Sequence, residues 1–360
     1  MNAALRRIIT GAMTLSLAVP LAACGNGNDD TGAHEESVGL LLPENKAARY
    51  EAFDHRIIES RISTLCLQCT VEYRNAGAQV DVQKRQFQAL VNKGVKVIIL
   101  DPVDAEAAKS WVDEAAKKGV KVVAYDRLAE GDVAAYVSYD NEKIGQLQGK
   151  GILDALGSQA ANADVVMLNG SPTDPNAPSF KKGAHDVLDH KVHKIVYETD
   201  VPEWSTAEAE KDLKTVIKDR GTAGFDAVYS ANDGMADGAA EALKSAGMKD
   251  IPLGGQDAEL PALRRLVNGT QTFTIYKQVR PEAETAAEIA FRLLRGKSIA
   301  SFTSTTADSK SKTGIPAKLF KAQIVTKDNL KDTVIRDGVV PADWLCTKDV
   351  ATACKSLGLD

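Results

Sequence analysis

A chain of 360 residues, 44% of them hydrophobic, is long enough to bury a sizeable core and to form two domains. Its net charge of −5 is mild and comes without a basic block, which argues against a nucleic-acid partner.

The chain opens with Arg6-Arg7 and an apolar stretch from Ile8 to Leu21 that Thr, Ser and Pro interrupt. It is too short to span a membrane as a stable anchor, and it ends at Leu21-Ala22-Ala23-Cys24. That ending resembles the lipobox of bacterial lipoprotein signals. The resemblance implies that residues 1–23 are removed and that Cys24 carries the lipid; an ordinary signal peptide with a chance cysteine is the plain alternative. Residues 24–37 hold almost nothing apolar and read as a flexible tether. Two or three acyl chains on one terminus suffice for stable anchoring where one does not. Four cysteines remain, an even number in an exported protein, and of three possible pairings the local ones, Cys66 with Cys69 and Cys346 with Cys354, are expected. A redox role for Cys66-Leu67-Gln68-Cys69 is the alternative. Thiolate activation favours a helix N-terminus, however, and this pair follows a helix ending near Ile62 and precedes a strand at Val71, so it reads as a structural clip.

The domain begins with a buried strand at 38–42, stopped by Pro43, then a helix at about 47–62, a strand at 70–74 and a helix at 80–93. Residues 94–127 are the most informative stretch. Two apolar β-branched runs, 95–100 and 120–125, flank a segment in which Ala108, Trp111, Val112 and Ala115 recur at helical spacing. Strands apolar on both faces and joined by a short helix demand parallel pairing in a covered sheet. Polar residues then fall at the strands' carboxyl ends, Asp101-Pro102 and Asp126-Arg127, the edge at which open parallel sheets bind ligands. Trp111 reads as core. Asp101 either caps the helix starting near Ala105 or shapes a hinge with Pro102.

After residues 137–140 a helix at 142–156 leads into a second alternating series: strands at 164–168, 194–198, 226–230 and 251–255 between helices near 179–190, 205–219 and 234–247. Two such runs predict an α/β protein of two doubly wound lobes. The second series also ends its strands in polar residues, at 169–172, Asn232-Asp233 and Gln256-Asp257, and a strand at 272–276 ends in Lys277. A helix at 281–296 starts at Pro281 and stops at Gly296. Residues 301–313 read as a surface loop, 318–325 as one strand, and the tail carries Trp344 and the second cysteine pair. His190 and His193 read as a solvated helix end rather than a metal site. If the lobes face each other by their carboxyl edges, one cleft gathers amides, carboxylates, a guanidinium and an ammonium. Such a set suits a neutral polyhydroxylated ligand, with aromatic faces covering the C–H faces of a pyranose.

Tyr125-Asp126-Arg127, 139–142, Gly170-Ser171-Pro172 with Asn176-Ala177, 255–258 and Tyr276-Lys277 resemble, in order and spacing, the type I periplasmic sugar-binding proteins of ABC importers, in particular the xylose-binding and multiple-sugar-binding group. The likeness covers about 38–338. It implies two lobes joined by three crossovers, near 139–143, 277–280 and 307–315, so that 38–140 with 278–307 form the first lobe, 141–277 with 308–340 the second, and 341–360 a tail. It also implies one aldopyranose in the cleft, held by Arg49 and Tyr50, Asp126 and Arg127, Asn176, the stacking Trp204, Asn232, Asp233, Asp257 and Lys277. No cofactor or metal is implied, and the partners are a monosaccharide and the transmembrane subunits of a permease, met by a lipid-anchored, extracytoplasmic monomer.

Three alternatives belong to other classes. A glycosidase needs two carboxylates with separated roles, and Asp126, Asp233 and Asp257 offer such a pair, but each has a hydrogen-bonding role in the binding reading, and a hinged binder needs no chemistry. A sugar-sensing repressor needs a basic helix-turn-helix before Val38, where the signal segment lies. A receptor that presents sugar to a membrane sensor is compatible with the binding reading.

Overall fold

The structure, a computed structural model, describes residues 36–359 apart from 46 and 48. Cys24, the segment 1–23 and most of the expected tether lie outside the described residues.

The first series runs β1 (Ser37–Leu42), α1 (His55–Leu65), β2 (Thr70–Asn75), α2 (Val80–Lys93), β3 (Val97–Leu100), α3 (Ala105–Lys117), β4 (Lys121–Tyr125) and β5 (Ala135–Tyr139). The second runs α4 (Asn141–Leu156), β6 (Asp164–Asn169), α5 (Asn176–Leu188), β7 (Lys194–Asp200), α6 (Thr206–Arg220), β8 (Ala227–Ser230), α7 (Asp233–Ser245), α8 (Leu260–Asn268) and β9 (Thr274–Lys277). α9 (Val279–Leu294), β10 (Thr305–Ala307), β11 (Ile315–Phe320) and β12 (Ala322–Val325) follow. The first sheet has the order β10-β11-β5-β4-β3-β1-β2, parallel except for β10 against β11. In its centre Ile99 lies opposite Leu40 on one side and Val123 on the other. The second lobe has β7-β6-β8, extended by single bridges Val228–Leu253 and Gln256–Ile275 to the antiparallel pair β9-β12.

β1 shows why both faces of the first sheet are covered. Leu40 and Leu42 pack with Ile58 and Ile62 of α1 and Ala286 and Ile289 of α9, while Leu41 points the other way, into Phe87, Leu90 and Trp111 of α2 and α3. Period-two alternation of apolar side chains serves two helical layers at once. Trp111 is core, edge-on to Phe87 with ring centroids 5.0 Å apart. Helix ends are set locally: α2 stops at Gly94, whose φ of 91° suits glycine at a left-handed cap, and Asp104 starts α3 by accepting the Ala107 amide at 2.9 Å. The cap is therefore Asp104, and Asp101 is neither cap nor hinge: its side chain is fully buried beneath Arg127.

The chain passes between the sheets at Asp140, Gln278 and Lys321. The first two fall within the expected crossovers; the third does not. β11 pairs with β5 in the first sheet (Phe320 opposite Tyr139), and β12 pairs with β9 in the second (Ala322 opposite Lys277). The run 318–325 is thus two strands that change sheets at the exposed Lys321, and residues 308–320, expected in the second lobe, include a strand of the first. Two further differences are local. β10 lies within the expected loop 301–313, and 251–255 joins its sheet by single bridges.

Cys66–Cys69 and Cys346–Cys354 are both disulfide-bonded. The second lies in the tail, where Leu345, Val350, Cys354 and Leu359 pack on Leu263 and Leu266 of α8 and on Tyr276 and Val325, leaving Trp344 exposed. No described helix is long and apolar enough to cross a membrane.

Candidate ligand-binding site

The carboxyl edges of the two sheets meet at a cleft with about 560 Å3 of space not filled by protein atoms, part of it open to solvent. Nine of the ten nominated residues line it: Arg49, Tyr50, Asp126, Arg127, Asn176, Trp204, Asn232, Asp257 and Lys277.

The first lobe contributes two buried guanidinium groups, each clamped from behind. Arg49 donates to Asp54 at 2.7 and 3.1 Å, to Glu282 of α9 at 2.9 Å and to Asp126 at 3.3 Å. Burial works against the Arg49 charge, but Asp54, Asp126 and Glu282 outweigh it and hold the pKa above the ordinary value. Arg127 lies 2.8 Å from Asp174 and 3.6 Å from Asp101, and donates to the Pro102 carbonyl at 3.2 Å. Asp126 is pulled both ways. Burial favours its neutral form, yet Arg49, Lys277 and Arg127 lower its pKa and keep it ionised. At Asp101 and Glu282 burial wins, and their pKa values stand well above the carboxylate range.

The second lobe contributes chiefly neutral groups placed at helix starts. Asn176, the first residue of α5, donates Nδ2 to the Asp126 carbonyl at 3.2 Å and accepts from Asn141 at 2.7 Å. Asn232 caps α7: its Oδ1 accepts the Met235 amide at 2.8 Å, which leaves Nδ2 as its donor for the cleft. The Trp204 indole lies against Gly170, where a Cβ would overlap the ring, and donates Nε1–H to Asp174 at 3.2 Å. Lys277, at the end of β9, pairs with Asp257 at 2.9 Å. Burial opposes its charge, but Asp257 and Asp126 raise its pKa.

Asp126, Trp204 and Asp257 share positive φ values of 55°, 55° and 99°. Non-glycine residues seldom adopt this region, and such strain concentrates where surrounding structure fixes a functional side chain. At Asp126 the surroundings are explicit: its amide donates to Val137, and its carbonyl accepts from Ser138, Tyr136 and Asn176.

Asp233 is the exception among the ten. It lies behind the cleft, accepting from Gln271 at 2.8 Å, Thr274 at 2.8 Å and the Glu259 amide at 3.0 Å. Its position as first residue of α7, one after the cap, turns the carboxylate inward, and burial pushes its pKa up to about 7. It supports the floor of the site rather than lining it. Conversely, Asp174, Gln256, Thr206 and Phe180 line the cleft without having been nominated. The available signal for Asp174 and Gln256 was their position in the polar segments that follow strands.

With guanidinium, ammonium and amide donors beside carboxylate acceptors and two aromatic rings, the cleft can hydrogen-bond several hydroxyls and cover apolar ring faces. Its cations are matched in place by carboxylates, which suits an uncharged ligand.

This fold and cleft define a two-lobed solute-binding protein. The model of the periplasmic binding protein domain matches residues 38–298, and the chain belongs to that family, with its type I fold. The D-xylose-binding periplasmic protein of Escherichia coli (strain K12) is 33% identical over 312 residues, covering 85% of this chain and 91% of that protein. The protein of the same name from Haemophilus influenzae is 34% identical over 319 residues, covering 86% and 92%. Among solved structures, an ABC transporter solute-binding protein from Clostridium phytofermentans with bound β-D-glucose superimposes with a TM-score of 0.77 at 25% identity, covering 86% of this chain and 99% of that one.

Proposed function

We propose that this chain is a lipid-anchored solute-binding protein that captures a monosaccharide, xylose or a related aldopyranose such as glucose, in the cleft between its lobes. It delivers that sugar, as an extracytoplasmic monomer, to the transmembrane subunits of an ABC permease. The observation that carries the sugar reading is the meeting of Arg49, Asp126, Arg127, Asn176, Asn232, Asp257 and Lys277 with Tyr50 and Trp204 around one space. The names of the relatives, D-xylose-binding and multiple sugar-binding proteins, support the same class of ligand.

The mechanism is ligand-biased closure. Opening and closing about the three crossovers is a two-state equilibrium, and a sugar that touches both walls favours the closed form by its differential affinity. No bond in the sugar needs to change. A thermal-shift panel of D-xylose, D-glucose, D-galactose and L-arabinose on the domain starting at residue 36 is expected to raise the melting temperature with at least one of them; no shift with any pentose or hexose refutes the reading. For the anchor, labelled fatty acid is expected to enter the full-length chain in a bacterial host and to be lost with Cys24→Ser; equal labelling of the variant refutes lipidation at Cys24.

A further inference from the structure

We infer that Asp174 is a positioning residue that latches the closed cleft, a role that rests on the sugar-binding reading above. Asp174 lies in the second lobe, between β6 and α5, and its side chain is almost wholly buried. Its carboxylate is engaged from three directions. Oδ1 accepts the Asn176 amide at 2.8 Å, and Oδ2 accepts the Trp204 indole N–H at 3.2 Å and lies 2.8 Å from Arg127 Nε, which belongs to the opposite lobe. One side chain thus orients an amide and a stacking ring on its own wall and pairs with a guanidinium on the other.

The neighbouring backbone crosses the cleft in the same place. The Thr173 carbonyl accepts the Ala105 amide at 3.5 Å, and Asn176 reaches the Asp126 carbonyl at 3.2 Å. Pro172 and Pro175 bracket this finger and restrict its backbone. The finger also abuts the first crossover, because Asn141 donates to Asn176 at 2.7 Å. Closure therefore aligns Asp174 with Arg127 only after the lobes have met. Such a contact acts on escape of the ligand, since encounter with the open cleft precedes it. Removing one member of a buried charge pair acts mainly on dissociation.

The test separates these steps. Stopped-flow tryptophan fluorescence with the sugar that gives the largest thermal shift is read for the wild type, Asp174→Asn and Asp174→Ser. Both variants are expected to release sugar about 30-fold faster or more, with association rates within about 3-fold of wild type. The asparagine keeps one acceptor oxygen, enough for the Asn176 amide or the Trp204 indole but not for both, and loses the charge facing Arg127; the serine opens space instead of filling it. An unchanged release rate, a loss confined to association, or failure of both Asp174 variants to fold overturns the latch. If the wild type itself binds no sugar, the sugar reading fails and the latch with it, an outcome distinct from normal binding by the variants.

Discussion

The two walls of the cleft are built on different principles. The first-lobe wall is ionic: Arg49 is buried and clamped by Asp54, Asp126 and Glu282 of its own lobe, and Arg127 is buried above Asp101 and donates to the Pro102 carbonyl. The second-lobe wall is mostly dipolar, made of Asn176 and Asn232 at helix starts and the Trp204 ring over Gly170, with Asp257 paired to Lys277 where the walls join. Clamped cations give fixed donor directions at the cost of desolvation, whereas amides and a ring exchange readily between water and ligand. A hinged binder of this kind keeps one wall rigid and preorganised while the other arrives to cover the ligand. Asp174 is a second-lobe group that pairs directly with the ionic wall, 2.8 Å from Arg127.

The largest losses are expected where charge is buried. Asp257→Ala leaves Lys277 without its carboxylate and removes a ligand acceptor, and sugar affinity is expected to fall at least about 100-fold in calorimetry while the protein stays folded. Normal binding would remove Asp257 from the site. On the dipolar wall, Trp204→Ala removes one stacking face, and affinity is expected to fall about 10- to 100-fold with little change in melting temperature. A loss larger than that from Asp257→Ala would make the ring, rather than the buried charge pair, the stronger contact of this lobe.

Smaller effects on binding are expected behind the walls. Asp233→Asn should leave affinity within about 3-fold, because the side chain does not line the cleft. Its effect is on stability against pH. With its pKa raised from 3.8 to about 7 on folding, Asp233 contributes its full stability below the lower value and loses it as pH rises through the upper one. The wild type should therefore lose stability relative to Asp233→Asn between pH 5 and pH 8, measured by denaturant titration at each pH; a constant difference would contradict the inward placement. Smallest of all on binding, Cys346→Ser with Cys354→Ser should expose the tail to proteolysis, with affinity unchanged within about 2-fold.

Much of this architecture was legible in one dimension because apolar strands and amphipathic helices alternate with little interruption, and polar residues recur wherever a strand ends. Asp126-Arg127, Asn232, Asp257 and Lys277 were found by that logic. What escaped it depended on side-chain direction or on a choice of partner strand. Asn232 and Asp233 are consecutive at a helix start, yet one faces the cleft and the other the interior. Residues 318–325 read as a single apolar run, while their hydrogen bonds divide between two sheets at Lys321. Glu282 and Asp54 read as ordinary polar positions, and only the fold brings both onto Arg49. Helix α8 escaped as well, since it follows closely on the polar end of a strand and carries Pro261 in its first turn.

Whether both walls grip one uncharged sugar is decided by isothermal titration calorimetry of the domain against D-xylose and D-glucose. Saturable heat at one sugar per chain is expected for at least one of them, and it should vanish for Asp126→Ala. Flat titrations with both, or equal heat from the variant, would contradict it.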